Sequence, residues 1–334
     1  MGHVGYRTGI EADTDRLDWN GTGERPLAWA AWYPISPEAS VGNRPTGQFF
    51  DLGAVEANAE LSADQPFPVV LLSHGTGGTP EGLGWLARLL AERGYVVIGA
   101  YHHGNTGREA YSAEGFLCWW ERATDLSNLL SFLSTYGPFA SRLDLSRVHT
   151  IGFSLGGYTA LALAGARTSV ERYLAWSSRS PDLAHGHREF PGVAGRIPDL
   201  LESSEVFRRS WERRGDSFRD KRIRSVVAIA PAPTVRAFDE GSLKSILLPV
   251  TLISGEADTE APPRDCADWM ASINSGFDRF SLGENVGHYT FLGHPAGRVT
   301  PEHAFLFEDL EGVDRDEVHH KAGEIVLTAL RNAE

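Results

Sequence analysis

The chain has 334 residues, of which 42% are hydrophobic and 22% charged, an ordinary composition for a globular protein with a substantial core. Its 31 basic and 44 acidic residues give a net charge of −13, which argues against nucleic acid or an anionic membrane as partner. The amino terminus shows no basic-then-apolar signal segment and the chain no long apolar span, so we expect a cytoplasmic protein.

The order of apolar patterns predicts a mostly parallel sheet with helices on both faces. The predicted strands are 3–33 (an antiparallel pair), 67–73, 95–101, 148–151, 225–230, 250–254 and 278–282. The predicted helices are 55–61, 82–93, 117–136, 158–167, 263–275 and 314–332. The continuous apolar runs 67–73 and 95–101 are typical of strands buried on both faces, and a strand–helix–strand order indicates right-handed parallel crossovers.

Residues 176–224 interrupt this alternation. About fifty residues, with several prolines and glycines and a charged helical stretch, stand between one helix and the next strand. Loops of that length usually have a function. We therefore predict one doubly wound domain over 1–334, with 176–224 inserted as a lid over a substrate pocket. A surface elaboration without function is the alternative.

The most informative motif is Gly152-Phe-Ser-Leu-Gly156, which follows a β-branched run and precedes an alanine- and leucine-rich stretch. A strand, a very tight turn and a helix are predicted, with Ser154 at the turn. Glycines two residues before and after the serine leave room for close backbone approach. This is the G-x-S-x-G nucleophile elbow of the α/β-hydrolases, in the structural context that the motif requires.

An acid and a histidine complete the predicted catalytic set. Asp258 follows the strand 250–254 and His288 follows 278–282, so both lie with Ser154 at the carboxyl edge of the sheet. The chain order serine, acid, histidine is that of the α/β-hydrolases. Ser154 would be the nucleophile, His288 its general base and then acid, and Asp258 the group that orients the imidazole.

Other residues compete for two of these roles. Glu256 lies near the same strand end as Asp258, but Asp258 is further into the loop. His294 and His303 also follow the last strand, but His288 is nearest to the strand end and comes directly after a glycine. We therefore favour Asp258 and His288.

The tetrahedral oxyanion needs two converging N–H donors. We predict the backbone N–H of Leu155, at the start of a helix, and that of Thr76, in the glycine-rich loop 74–78. Further residues near the strand ends are predicted to line the substrate pocket; these are Gly75, His102, Trp119, Trp120 and Tyr289.

The remaining histidines and loops indicate no cofactor and no metal site. His74 is expected to pack under the oxyanion loop. The pairs His185/His187 and His319/His320 have no Cys or carboxylate ligand at metal-like spacing and are interpreted as solvated. The loop 74–78 is neither a phosphate loop nor a dinucleotide fingerprint. Cys118 and Cys266 are too few for a disulfide framework and are expected to be buried.

Taken together, six motifs resemble one family, the bacterial dienelactone-hydrolase-like proteins related to platelet-activating-factor acetylhydrolase. The motifs are Leu71–Gly78, Arg93–Val97, Gly152–Gly157, Ile229–Pro231, Gly255–Asp258 and Gly287-His288. The resemblance runs from about residue 5 to 292. It implies an α/β-hydrolase fold, an esterase or lipase-like activity on short acyl esters or lactones without a cofactor, and Thr76 as an oxyanion donor. Dienelactone hydrolases proper use a cysteine nucleophile where this chain has Ser154, and secreted relatives have leader peptides.

The sequence therefore predicts a serine hydrolase for carboxylic esters or lactones of short to medium acyl chain. An acyltransferase or cyclising esterase with the same residues, and a non-catalytic ligand receptor, are the alternatives. The expected partner is a small-molecule ester, lactone or acyl substrate. The oligomeric state is not predicted.

Overall fold

The computed structural model describes residues 3–39, 42–62, 66–180 and 188–334. Within these ranges the strands are β1 His3–Leu17, β2 Glu24–Ile35, β3 Glu56–Ala57, β4 Phe67–Ser73, β5 Val96–Tyr101, β6 Leu143–Phe153, β7 Ile223–Ile229, β8 Val250–Ser254 and β9 Phe277–Ser281. The α-helices are α1 Gly84–Glu92, α2 Ala113–Leu117, α3 Glu121–Thr135, α4 Leu155–Ala164, α5 Val170–Ser177, α6 Ile197–Ser203, α7 Glu205–Glu212, α8 Glu240–Lys244, α9 Ala267–Ile273 and α10 Arg315–Arg331.

The strands of the described residues form one sheet in the order β3-β1-β2-β5-β4-β6-β7-β8-β9. β1 and β2 are antiparallel, β2 pairs antiparallel with β5, and every pair from β5 to β9 is parallel. This confirms the prediction of a mostly parallel, α/β-hydrolase-type sheet. The carboxyl ends of the parallel strands lie at one edge, where the predicted site residues follow them.

Alternate residues of the central strands enter different apolar cores. Leu71 of β4 packs in one core with Leu126 of α3, whereas the next residue, Leu72, packs in the other core with Leu86 of α1. This period of two is the reason why the central strands read as continuous apolar runs, since both faces are covered by helices.

The predicted helix over 55–61 is wrong. Residues Glu56 and Ala57 instead form β3, a two-residue strand parallel to β1. Asn58, at φ 56°, turns the chain away, and its N–H donates to the Tyr6 carbonyl. Pairing with the open edge of β1 satisfies backbone groups that a short helix would leave unpaired at its ends.

The helix predicted over 117–136 is two helices, α2 and α3, separated by residues 118–120. The indole N–H of Trp119 donates to the Phe116 carbonyl at 2.7 Å. In a continuous helix that carbonyl would accept from the backbone N–H of Trp120. At the break between α2 and α3, the carbonyl accepts from the Trp119 indole instead.

The stretch predicted as an insertion contains α6 and α7, and β7 follows it. Side chains of these helices, among them Leu200 and Phe207, pack with Trp120 in a third apolar cluster. His185 and His187, predicted to be solvated, lie outside the described residues. In the part of the chain that is described, no helix has the length and apolarity needed to cross a membrane.

Candidate active site at the carboxyl edge of the sheet

Ser154 occupies a strained turn between β6 and α4. Its φ of 55° and ψ of −119° lie in a region that L-residues rarely adopt. A Cβ on Gly152 would come within 1.8 Å of the Gly156 carbonyl oxygen, and one on Gly156 within 1.9 Å of the Ser73 carbonyl oxygen. Glycine is therefore required at both positions for the turn to close, as the motif predicts.

Both backbone groups of Ser154 anchor the turn, one to the end of β7 and one to the segment that follows β7. Its N–H donates to the Ile229 carbonyl at 2.9 Å, and its carbonyl accepts from the Ala232 N–H at 3.1 Å. Both backbone polar groups of Ser154 are therefore satisfied within the protein.

Asp258, His288 and Ser154 form a continuous hydrogen-bonded chain. His288 Nδ1 lies 2.7 Å from Asp258 Oδ2, and His288 Nε2 lies 3.1 Å from Ser154 Oγ. The second carboxylate oxygen of Asp258 accepts from the backbone N–H of Ala261 at 2.7 Å. All three side chains are buried, with Ser154 only 8% exposed.

The environment of His288 favours its protonated form. Burial by itself would lower the pKa of the imidazole, but the adjacent Asp258 carboxylate outweighs burial and raises the pKa above its ordinary value of 6.5. A carboxylate that stabilises the imidazolium makes the neighbouring histidine a stronger proton acceptor.

The competing acid and histidines lie elsewhere on the surface. Glu256 is paired with Arg279 at 2.9 Å. His294 is hydrogen-bonded to Asp316, and His303 to Thr300. None of the described hydrogen bonds connects these groups to Ser154.

The glycine-rich loop after β4 lies against the serine. A Cβ on Gly75 would be 3.2 Å from Ser154 Cβ. The Gly77 N–H donates to Asn105 Oδ1 at 2.6 Å, but none of the described hydrogen bonds uses the Thr76 N–H. The N–H of Leu155, the first residue of α4, has no acceptor within its own helix. Among the described hydrogen bonds, therefore, neither the Thr76 N–H, in the loop beside the serine, nor the Leu155 N–H, directly after the serine in sequence, has an acceptor.

A buried polar network that the sequence analysis missed supports this loop from below. Arg122 of α3 donates from Nη2 to the carbonyl oxygen of His74 at 2.6 Å. His102 bonds Ser73 Oγ at 2.9 Å and Asp125 at 3.2 Å, and burial lowers its pKa to about 3. A usable signal was in the sequence, because helical spacing places Arg122 four residues before Leu126, on the apolar face of α3.

Residues predicted to line the pocket differ in their positions. Tyr289 is half-buried, and its ring packs edge-on against His288 at 5.1 Å. Trp120 is fully buried, and its indole N–H donates to the Ser210 carbonyl. His102 and Trp119 are also buried, within the network above and the core respectively. The side chains of Trp120, Trp119 and His102 are thus buried, and their polar atoms are paired with other protein groups, as is typical of residues with a structural role.

One histidine prediction is wrong. His319 is only 6% exposed, donates from Nε2 to the Thr290 carbonyl at 2.9 Å and stacks on Trp85. Asp316, one helical turn earlier, and His294 lie beside it, so a carboxylate is near after all. The i, i+3 spacing of Asp316 and His319 on one helix is the sequence signal that places this carboxylate beside the imidazole. Both cysteines are buried free thiols, as expected.

Comparison with known proteins agrees with the fold. A family model described as the alpha/beta hydrolase family matches residues 69–301. A ferulic acid esterase from Streptomyces cinnamoneus is similar over 99% of this chain and 90% of its own, with a TM-score of 0.64 and 20% identity. A putative dipeptidyl aminopeptidase IV from Bacteroides ovatus has a TM-score of 0.52 and 14% identity, and covers 100% of this chain with 36% of its own. No curated protein sequence matches.

The identities of 20% and 14% show a shared fold alone, and the narrower resemblance to dienelactone-hydrolase-like proteins stays a prediction. The match to the family model carries more weight than these identities. It extends from β4 to residue 301 and includes the elbow and the residues after β8 and β9. Since it covers more than half of the sequence, the chain belongs to the alpha/beta hydrolase family.

Proposed function

We propose that this hydrolase cleaves carboxylic esters or lactones of short to medium acyl chain through an acyl-enzyme on Ser154. The observation that carries the proposal is the hydrogen-bonded chain from Asp258 through His288 to Ser154, with the serine at a positive-φ elbow. A serine hydroxyl is a weak nucleophile and needs an adjacent, oriented base of this kind.

In the first half of the reaction, Ser154 Oγ attacks the ester carbonyl carbon while His288 Nε2 takes the hydroxyl proton. The tetrahedral intermediate collapses, the bond to the alcohol oxygen breaks, and His288 returns the proton to the leaving alcohol. In the second half, His288 takes a proton from water, whose oxygen attacks the acyl carbon. The carboxylic acid leaves and Ser154 regains its proton. Asp258 keeps the Nδ1–H in place throughout.

The developing oxyanion would be bound by the backbone N–H groups of Thr76 and Leu155. Both lie beside Ser154, one in the loop whose Gly75 abuts the serine and one directly after it at the start of α4. A helix amino terminus also favours negative charge. Removal of one such donor typically lowers kcat by ~10²–10³-fold.

We further propose that the insertion 176–224 acts as a lid. Two residues of the insertion, Arg188 and Glu189, lie close to two sides of the site. A Cβ on Gly77 would be 3.0 Å from Glu189 Cγ, and Arg188 is paired with Glu260 at 2.7 Å, two residues after Asp258. Arg188 also lies over the Phe305 ring, at 4.5 Å.

The lid proposal has a specific test. Arg188→Ala should change the acyl-chain preference while thermal stability stays the same, because an exposed ion pair contributes only about 0–1 kcal/mol. Arg209→Ala is the matched control, since Arg209 is an exposed, paired arginine within α7 of the same insertion. An unchanged preference in Arg188→Ala would argue against a lid.

The first test of the reaction is turnover of p-nitrophenyl esters from C2 to C12 by the wild type and by Ser154→Ala. We expect wild-type turnover to peak at short to medium chains and to vanish in the variant. Labelling of Ser154 by a fluorophosphonate probe gives a readout that does not depend on the substrate. A ferulic acid ester should also be tested as a substrate, because the similar Streptomyces structure is that of a ferulic acid esterase. Full activity in Ser154→Ala would refute the proposal.

A further inference from the structure

Three potential ligands converge where the loop after Phe291 meets α10. His294, Asp316 and His319 each present a nitrogen or oxygen ligand atom, and these atoms lie within 4.8 Å of one another. His294 Nε2 is already 2.8 Å from Asp316 Oδ1. Two imidazoles with one carboxylate are a ligand set that suits zinc and neighbouring first-row divalent ions.

The ring of His319 is held as metal-binding imidazoles usually are. Its Nε2–H donates to the Thr290 carbonyl at 2.9 Å, and the ring stacks on Trp85 with 4.0 Å between ring centres and 3° between planes. Donation from Nε2 leaves the lone pair on Nδ1, which none of the described hydrogen bonds uses. A metal-bound histidine characteristically donates its other N–H to a carbonyl or carboxylate in this way.

Backbone structure determines the positions of the other two proposed ligands, Asp316 and His294. Asp316 lies three residues before His319 on α10, so both face the same side of the helix. The His294 carbonyl accepts from the Asp51 N–H at 2.8 Å, which holds that residue opposite α10.

The arginine next to Asp316 in sequence is already neutralised by another carboxylate. Among the described residues, Asp316 forms an ion pair only with His294. Arg315, its neighbour in sequence, points instead to Asp309, with contacts of 2.8 and 3.1 Å. The carboxylate of Asp316 thus keeps its charge available for a cation.

We propose that His294, Asp316 and His319 bind one divalent ion of the zinc class, with water completing the coordination. At a metal–nitrogen distance of about 2.0–2.1 Å, tetrahedral ligand atoms are roughly 3.3 Å apart, so the widest pair must close by up to about 1.5 Å. Asp316 and His294 can do this, because their side chains are 80% and 49% exposed.

The ion would have a structural role. His319 contacts the carbonyl of Thr290, and the Thr290 hydroxyl bonds Asp309 at 2.7 Å. Thr290 comes two residues after His288. An ion on His294 and α10 would therefore tie the carboxyl-terminal helix to the segment that follows the proposed general base, without taking part in the reaction.

The test is zinc titration by calorimetry of the untagged protein after dialysis against EDTA. We expect one Zn²⁺ per chain and a rise in the melting temperature with zinc. Asp316→Asn and His294→Asn should weaken zinc binding by more than the ~10–100-fold that loss of an outer-shell partner costs. Both replace exposed side chains, so the fold should survive, and circular dichroism checks this.

His303→Asn is the matched control, because His303 is an exposed histidine beside Glu302 in the same region and has no second histidine partner among the described contacts. It should bind zinc like the wild type. Co²⁺ in place of Zn²⁺ should give visible absorption bands in the wild type and in His303→Asn, and lose them in Asp316→Asn. Absence of zinc binding by the folded wild type, or equal affinity in all variants, would overturn the proposal.

Discussion

Arg122 Nη2 donates to the carbonyl oxygen of His74 at 2.6 Å, so a charged side chain of α3 holds the first residue of the glycine-rich loop 74–78. Among the described residues, Arg122 Nε and Nη1 have no acceptor, and burial lowers the pKa of the guanidinium to about 9. A buried cation with two unused donors is costly, which indicates that its contact with the loop has a function.

We expect Arg122→Met to lower kcat by roughly 10- to 100-fold with a smaller change in KM, since a shift of about 1 Å in a catalytic donor costs on the order of 10²-fold in rate. Ester kinetics measure this. Arg122→Lys, which can still reach one carbonyl, should recover part of kcat. Arg209→Met, at an exposed arginine, should match the wild type. Wild-type kcat in Arg122→Met would show that the loop holds its position without this bond.

The contrast between Ser154 and Arg122 shows what a pattern in the sequence can predict. Ser154 lies in a local strand–turn–helix motif whose glycines are demanded by backbone contacts within a few residues and with β4, so the motif predicts its place. The continuous apolar strands are predictable for a similar reason, because burial on both faces removes alternation. These features are local, or depend on a general property of parallel sheets.

Arg122 and His319 depend instead on partners that are distant in sequence. Arg122 meets His74 across 48 residues, and His319 meets Thr290 across 29. β3 likewise exists because its two residues meet the edge of β1. Periodicity places Arg122 on the apolar face of α3 and Asp316 one turn before His319, but it contains no record of the distant partners that Arg122 and His319 meet.

The raised pKa of His288 predicts the acid side of the pH profile. In the proposed mechanism only the neutral imidazole of His288 can take the proton from Ser154, so kcat/KM should fall as the pH drops through the pKa of His288, at a midpoint above 6.5. Asp258→Asn removes the carboxylate that raises this pKa but keeps the burial that lowers it. The midpoint should then move to lower pH, and kcat should fall by about 10⁴-fold.

The matched control is Glu256→Gln, two residues from Asp258 on the same loop and paired with Arg279 rather than with a histidine. Its profile should equal that of the wild type. A midpoint that stays the same in Asp258→Asn would mean that another group controls the acid limb.

The crowding at Gly156 predicts a large loss of stability on adding one methyl group. In Gly156→Ala the new Cβ would be 1.9 Å from the Ser73 carbonyl oxygen, which belongs to backbone and cannot rotate away. We expect the free energy of unfolding to fall by about 3 kcal/mol or more in urea denaturation. Gly195→Ala is the control, because a Cβ there meets no atom within 4 Å. Similar stability of the two variants would contradict the crowding.

Replacement of Asp125 should also lower the free energy of unfolding, here for an electrostatic reason. One of its oxygens accepts from Arg16 and from Arg25, each at 2.8 Å, and the other lies 3.2 Å from His102 Nδ1. Asp125→Asn would remove the negative charge that two largely buried arginines share. The free energy of unfolding should therefore fall by about 3–5 kcal/mol. Asp268→Asn, at an exposed carboxylate paired with Arg279, should cost only about 0–1 kcal/mol.

The same carboxylate also predicts how stability changes with pH. Burial alone would raise the pKa of Asp125, but Arg25 and Arg16 outweigh it and hold the pKa well below 3.8. Its contribution to stability is therefore complete above the unfolded-state pKa of about 3.9 and is lost as the pH falls below it. Urea midpoints at pH 7 and pH 3 measure this. The difference in stability between the wild type and Asp125→Asn should narrow at pH 3, whereas a difference that widens on acidification would mean that Asp125 is not held ionised by its arginines.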